Sequence, residues 1–232
     1  MAHLAHYREA HPLVFVITHW INLVCMLILI LTGFYIHYPL FGGFMGVARG
    51  AHMFCAFIIL INLVFRIIAA FFVKTAEAGG TRTDLVPDIK NFMPQKNNRH
   101  QFGAWIKYYL FLKKDHPKGA KYGVPQKLAY LAVPFMILFM GFTGFCLWGP
   151  TENASIFIAF TNMVGGLMIV RIIHYCVMWF IIIFTLIHIY LANIEGTSPS
   201  AIIFKWKEHG GLTYDPKTNQ ITGDDDLGHS GH

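Results

Sequence analysis

The sequence predicts an all-α integral membrane protein: a bundle of four transmembrane helices with a cytoplasmic amphipathic loop and a polar tail. Three observations carry this. Of the 232 residues, 55% are hydrophobic and only 13% charged, against about 25% charged in a soluble domain. The apolar residues gather into four runs, each long enough to cross a hydrocarbon layer about 30 Å thick. The basic residues are unevenly placed: 11 of the 18 Lys and Arg fall between Lys74 and Lys127, whereas the segment after the first run holds only Arg49 and the one after the third run holds none.

The runs follow in order. The first, at about residues 12–36, contains His19, Asn22 and the pair Thr32-Gly33. His3, His6, Arg8 and His11 precede it without a cleavable-signal pattern, so this span is expected to stay. A short loop, YPLFGGFMGVARG, leads to the second run at 51–73, with His52, Asn62 and Arg66. A long polar stretch, Lys74 to Gln126, separates it from the third run at 127–148, where Pro134 is tolerable inside a membrane helix. A loop from Gly149 to Gly166 precedes the fourth run at 167–193. Residues 1–194 are therefore expected to form one transmembrane domain and 195–232 a polar, poorly ordered tail. No internal repeat stands out.

The positive-inside rule places the Lys74–Lys127 stretch in the cytoplasm, and with four spans both termini join it. The expected setting is a bacterial inner membrane crossed several times. Within the stretch, FGAWIKYYLFLKK alternates aromatic and basic residues at helical spacing and fits an amphipathic helix on the inner surface or an ordinary folded loop. The basic residues lie in loops without a nucleic-acid motif, so they are topology signals, not a nucleic-acid surface.

Topology then sorts the histidines. His174 and His188 lie 14 residues apart on the fourth run, about 21 Å of helical rise on nearly one face. Imidazole in hydrocarbon is costly and calls for a function. The first run travels outward, so His19 lies at the inner level; the second and fourth travel back, so His52 and His174 are outer and His188 inner. Two pairs result, His52 with His174 and His19 with His188, each drawing on two helices. That is the requirement of two b-type haems, each with two axial histidines. Arg171 is one turn from His174, and Arg66 is 14 residues beyond His52 on the same face; haem propionates are the anions expected for these two guanidinium groups. His37, 18 residues from His19, competes with His52 as outer ligand, although Pro39 beside it suggests a helix already ending. The four cysteines, Cys25, Cys55, Cys146 and Cys176, lie in apolar runs without CxxC or CxxCH, so they read as packing residues and covalent haem attachment is not indicated.

Several stretches resemble a known family: THWINLVCMLILILTGFYI, RGAHMFCAFIILINLVFRI, WIKYYLFL followed by HP and then PQKLAYL, and VRIIHYCVMWFIIIFTLIHIYLA. The chain resembles the diheme cytochrome b subunit of membrane-bound nickel–iron hydrogenases, related to the gamma subunit of formate dehydrogenase, over nearly all of its length to about Asn193. The resemblance implies two b haems on His19, His52, His174 and His188. It also implies an iron–sulfur small subunit and a nickel–iron large subunit docked on the outer face. Family members commonly read GHNP where this chain has Tyr122-Gly123-Val124-Pro125.

The function expected from this is an electron-transfer subunit. It takes electrons from a periplasmic hydrogenase through two haems to menaquinone or ubiquinone near the cytoplasmic side. Each charge crossing the membrane field is worth about 2.3 kcal/mol per 100 mV. His116 is the quinone-side proton donor favoured by the resemblance, with His100 and Asn22 as further candidates. Without CxxC pairs, the chain itself has no hydrogen-cleaving centre. The bilayer, the quinone and the hydrogenase subunits are the expected partners, in an arrangement compatible with a homo-oligomer of the complex. Two alternatives remain: the same scaffold serving a formate dehydrogenase or other molybdenum oxidoreductase, and a proton- or metal-translocating protein without haem. The latter usually needs Gly- or Pro-broken helices, and the second and fourth runs are unbroken.

Overall fold

A computed structural model describes residues 12–76, 85–92, 102–113, 124–193, 200, 203–204, 213–215 and 220–222. The fold is mainly helical. Helix α1 (Leu13–His37) has 25 residues and α2 (Met45–Phe72) has 28. Strands β1 (Lys74–Ala76) and β2 (Leu85–Pro87) and the short helices α3 (Ile89–Phe92) and α4 (Phe102–Tyr109) follow. The remaining elements are α5 (Val124–Leu147), α6 (Ser155–Val164), α7 (Leu167–Asn193), β3 (Thr213–Asp215) and β4 (Gln220–Thr222). Among the described residues, three helical stretches are long and apolar enough to cross a membrane: Leu13–His37, Met45–Phe72 and Leu167–Tyr190. Within α5, the described residues include the apolar stretch Leu131–Leu147.

Helix α2 starts six residues before its expected boundary. Nothing after Pro39 forbids helical backbone, and the helix reaches back to Met45, its start marked by the bond from Ala48 N–H to the Phe44 carbonyl at 3.0 Å. Ala48 is completely buried, and the early glycines Gly46 and Gly50 have open space around them. Arg49 therefore sits on a helix, not in a loop.

The chain divides into two compact units. One comprises Thr18–Val64 and Val133–Leu191. Its core joins Cys25 of α1, Cys55, Ile59 and Leu63 of α2, and Ile137 of α5. A Cβ at Gly141 would lie 3.0 Å from the Leu60 side chain, so a small residue there lets α5 approach α2 closely, as membrane helices favour. Asn62 is buried and donates to the Thr18 carbonyl at 2.9 Å and to the Asn22 side-chain oxygen at 2.8 Å. Polar groups in an apolar bundle thus satisfy one another between α1 and α2. Cys25, Cys55 and Cys146 are buried free thiols, as expected, whereas Cys176 is exposed.

The two connections of this unit are more ordered than their composition suggests. After α1, the Tyr35 hydroxyl donates to the Phe41 carbonyl, and its ring meets those of Phe41 and Phe44 at 4.9 and 5.5 Å. Gly43 takes φ 84°, a conformation suited to glycine. The expected loop 149–166 contains α6, whose Phe157 and Phe160 pack on Phe142 of α5 at 5.4 and 5.0 Å. Helix α6 ends at Gly165, with φ 103°, and the Gly166 N–H returns to the Thr161 carbonyl at 2.7 Å.

The other unit comprises residues 1–17, 65–132 and 192–232. The stretch after α2, expected only as polar, opens with an antiparallel hairpin pairing Lys74 with Pro87 and Ala76 with Leu85. Asp88 follows it, fully buried. Its carboxylate accepts from Arg66 at 2.8 Å and from the Thr75 hydroxyl at 3.1 Å, and Asn91 donates to Thr75 at 2.8 Å. The Arg66 guanidinium also lies 3.8 Å from the centre of the Phe15 ring. The amphipathic stretch is helical as α4, with Trp105 buried, and it stops at Phe111, which takes φ 59°. In the tail, β3 and β4 pair antiparallel, Tyr214 opposite Ile221, where no regular structure was expected.

Candidate functional site

His19 lies on α1, His52 on α2, and His174 and His188 on α7, all within the unit formed by Thr18–Val64 and Val133–Leu191. The ring centroids of His52 and His174 are 6.4 Å apart, with planes 57° from parallel. Those of His19 and His188 are 6.3 Å apart, with planes at 42°. The structure therefore brings together the same two pairs that topology selects.

These separations can be tested against a metal shared by each pair. A metal–imidazole bond is about 2 Å long, and two such bonds, with each nitrogen's offset from its ring centre, come to about 6 Å. Both pairs fit. Among the described residues, no group of three or more His, Cys, Asp or Glu gathers as a bare-ion site would require. Two axial ligands per metal, with a macrocycle supplying the others, is the arrangement the donor set matches.

Two threonines, one of them unrecognised in the sequence, stand behind one pair. The Thr32 hydroxyl oxygen is 2.9 Å from Nδ1 of His52, and that of Thr143 is 2.8 Å from Nδ1 of His174. The residue after each is glycine. A Cβ on Gly33 would lie 3.5 Å from Cε1 of His52, and one on Gly144 would lie 3.6 Å from Cε1 of His174. The signal was available: Thr-Gly-Phe occurs at 32–34 and again at 143–145.

The remaining candidates fall as follows. His37 is exposed and stacks on Tyr175, centroids 4.2 Å apart and planes 14° from parallel; it is His52 whose ring approaches His174. Arg171 is exposed on α7, one turn before His174. From the sequence a haem propionate is the anion expected for Arg66, whereas in the structure its guanidinium pairs with Asp88 at 2.8 Å. Asn22 accepts from Asn62. His100 and His116 lie outside the described residues.

The family model for prokaryotic cytochrome b561 matches residues 10–202, a range that includes all four paired histidines. The chain is 28% identical over 193 residues to the "Probable Ni/Fe-hydrogenase 1 B-type cytochrome subunit" of Escherichia coli K12, covering 76% of this chain and 78% of that protein. It is 27% identical over 190 residues to the "Probable Ni/Fe-hydrogenase B-type cytochrome subunit" of Rhizobium leguminosarum bv. viciae, with 76% of each covered. A protein of the same name from Rhodobacter capsulatus is 30% identical over 196 residues, covering 75% of this chain and 69% of the relative.

Proposed function

The chain belongs to the prokaryotic cytochrome b561 family, and we propose that it is the membrane-anchoring cytochrome b subunit of a nickel–iron hydrogenase, carrying electrons from a periplasmic hydrogenase to the quinone pool. The observation that carries this reading is the pair of histidine couples at 6.4 and 6.3 Å. They are set about 21 Å apart along α7. His52 and His174 would hold one haem b, His19 and His188 a second. Bound haem b supplies a one-electron carrier at each level. The names of the relatives support a hydrogenase as donor; its iron–sulfur small subunit and nickel–iron large subunit would dock on the outer face.

The membrane arrangement follows from the same residues. The fourth span is α5, a 24-residue helix. Its length of 24 residues falls within the spanning range of about 17–25. With four spans, the clustering of 11 of 18 basic residues in Lys74–Lys127 puts that stretch and both termini on the cytoplasmic side of a bacterial inner membrane. The quinone site lies on that side, with His116 as its proton donor. Arg171, close in sequence to His174, would supply the cation for a propionate of a haem held by His52 and His174. Arg66 is assigned to Asp88.

Membranes containing the whole complex test the donor. Anaerobic addition of hydrogen should develop the reduced b-type absorption bands within the turnover time of the hydrogenase, and membranes lacking this chain should not develop them. Bands that form with formate and not with hydrogen would transfer the chain to a different catalytic partner.

A further inference from the structure

The two threonines behind His52 and His174 carry a further inference, which rests on the haem reading above. Each hydroxyl has one proton and several neighbours. Thr32 Oγ is 2.6 Å from the Ile28 carbonyl and 3.3 Å from that of Leu29. Thr143 Oγ is 3.0 Å from the Phe139 carbonyl and 3.1 Å from that of Met140. Carbonyl oxygens can only accept, so a bond to them uses the hydroxyl proton. The threonine oxygen is then left as an acceptor for the imidazole. That arrangement makes two hydrogen bonds, Thr O–H to carbonyl and His Nδ1–H to Thr Oγ. The opposite one, with the hydroxyl donating to Nδ1, makes one. Where no water competes, the arrangement with more bonds satisfied prevails.

The consequence is a fixed tautomer. With the proton on Nδ1, the lone pair is on Nε2, and only a ring nitrogen with a lone pair can bind a metal. The glycine after each threonine admits the Cε1 edge of the same ring at 3.5 and 3.6 Å. Threonine and glycine therefore grip the Nδ1–Cε1 edge together. The device is repeated on α1 for His52 and on α5 for His174, so the two ligands of one pair are held by two helices outside the α2–α7 couple.

We propose that Thr32 and Thr143 are positioning residues that fix the Nδ1–H tautomer of His52 and His174 and tune the haem these histidines hold. An acceptor on Nδ1–H makes the imidazole a more basic ligand. More electron density on the iron favours the ferric state, so removing the acceptor raises the reduction potential. Valine is close to threonine in shape but lacks the oxygen; serine keeps the oxygen and loses a methyl group.

The test is a redox titration of the detergent-solubilised complex, followed by visible absorption and by the low-spin ferric electron paramagnetic resonance signals, which report the axial rings. In Thr32→Val, Thr143→Val and the double variant, one of the two b-type midpoints is expected to rise, most in the double variant. The signal of the same haem shifts, and the other haem is unmoved. Serine at both positions restores the wild-type midpoint. If a valine variant loses that haem outright, retention by the serine variant supports the assignment. Unchanged midpoints and signals in the double valine variant overturn it, as does a serine variant as perturbed as the valine one. The wild-type titration, with its two b-type components, separately checks the haem reading itself.

Discussion

Replacing His174 by alanine is expected to lower the haem content from two to one per chain and to stop hydrogen-driven quinone reduction. The His174 and His52 rings are 6.4 Å apart, the spacing at which both would hold one haem, so removing one of the two nitrogens is expected to cost that haem its retention. His52→Ala should therefore remove the same haem, and the double variant should lose no more than either single one. His19→Ala and His188→Ala should remove the other haem, because those rings form the second couple at 6.3 Å. Difference spectra of the four purified variants check this. Loss of different haems by the His52 and His174 variants would break the pairing.

The second large effect is on stability. Asp88 is fully buried and paired with Arg66, whose side chain is 26% exposed. Asp88→Ala leaves the guanidinium and the Thr75 hydroxyl without their carboxylate. Removing one partner of a buried pair costs about 3–5 kcal/mol; with Arg66 partly solvated, the lower end of that range is expected. The double variant Asp88→Leu, Arg66→Met should recover most of the loss, since apolar residues of similar volume often replace such pairs without penalty. Unfolding in detergent measures both. A single-variant loss below about 1 kcal/mol, the scale of an exposed pair, would mean that Asp88 does not anchor this region.

These effects differ in how far the sequence reveals them. The histidine pairs are legible because helix direction assigns each ring a depth: one imidazole in an apolar run is more often a packing residue, but four that pair by depth call for a shared ligand. The threonines are harder to see. A hydroxyl in a membrane helix ordinarily bonds back to the carbonyl four residues earlier, and both do so. Only the fold shows that the oxygen has a second partner. Asp88 is hidden for the opposite reason: in a polar stretch a carboxylate raises no question until it is found buried. The α6 helix is masked by the Gly and Asn around it, yet its phenylalanines meet Phe142 at helical spacing. For Arg66 the need for an anion was legible but not its source, because Asp88 is 22 residues away across the β1–β2 hairpin.

The central claim is that one chain holds two haems, each between two histidines. The most direct measurement is the haem b content of the purified subunit by alkaline pyridine spectroscopy, set against protein mass by amino-acid analysis. The account predicts two haems b per 232-residue chain. One haem, or none, in protein purified with its hydrogenase partner would contradict it.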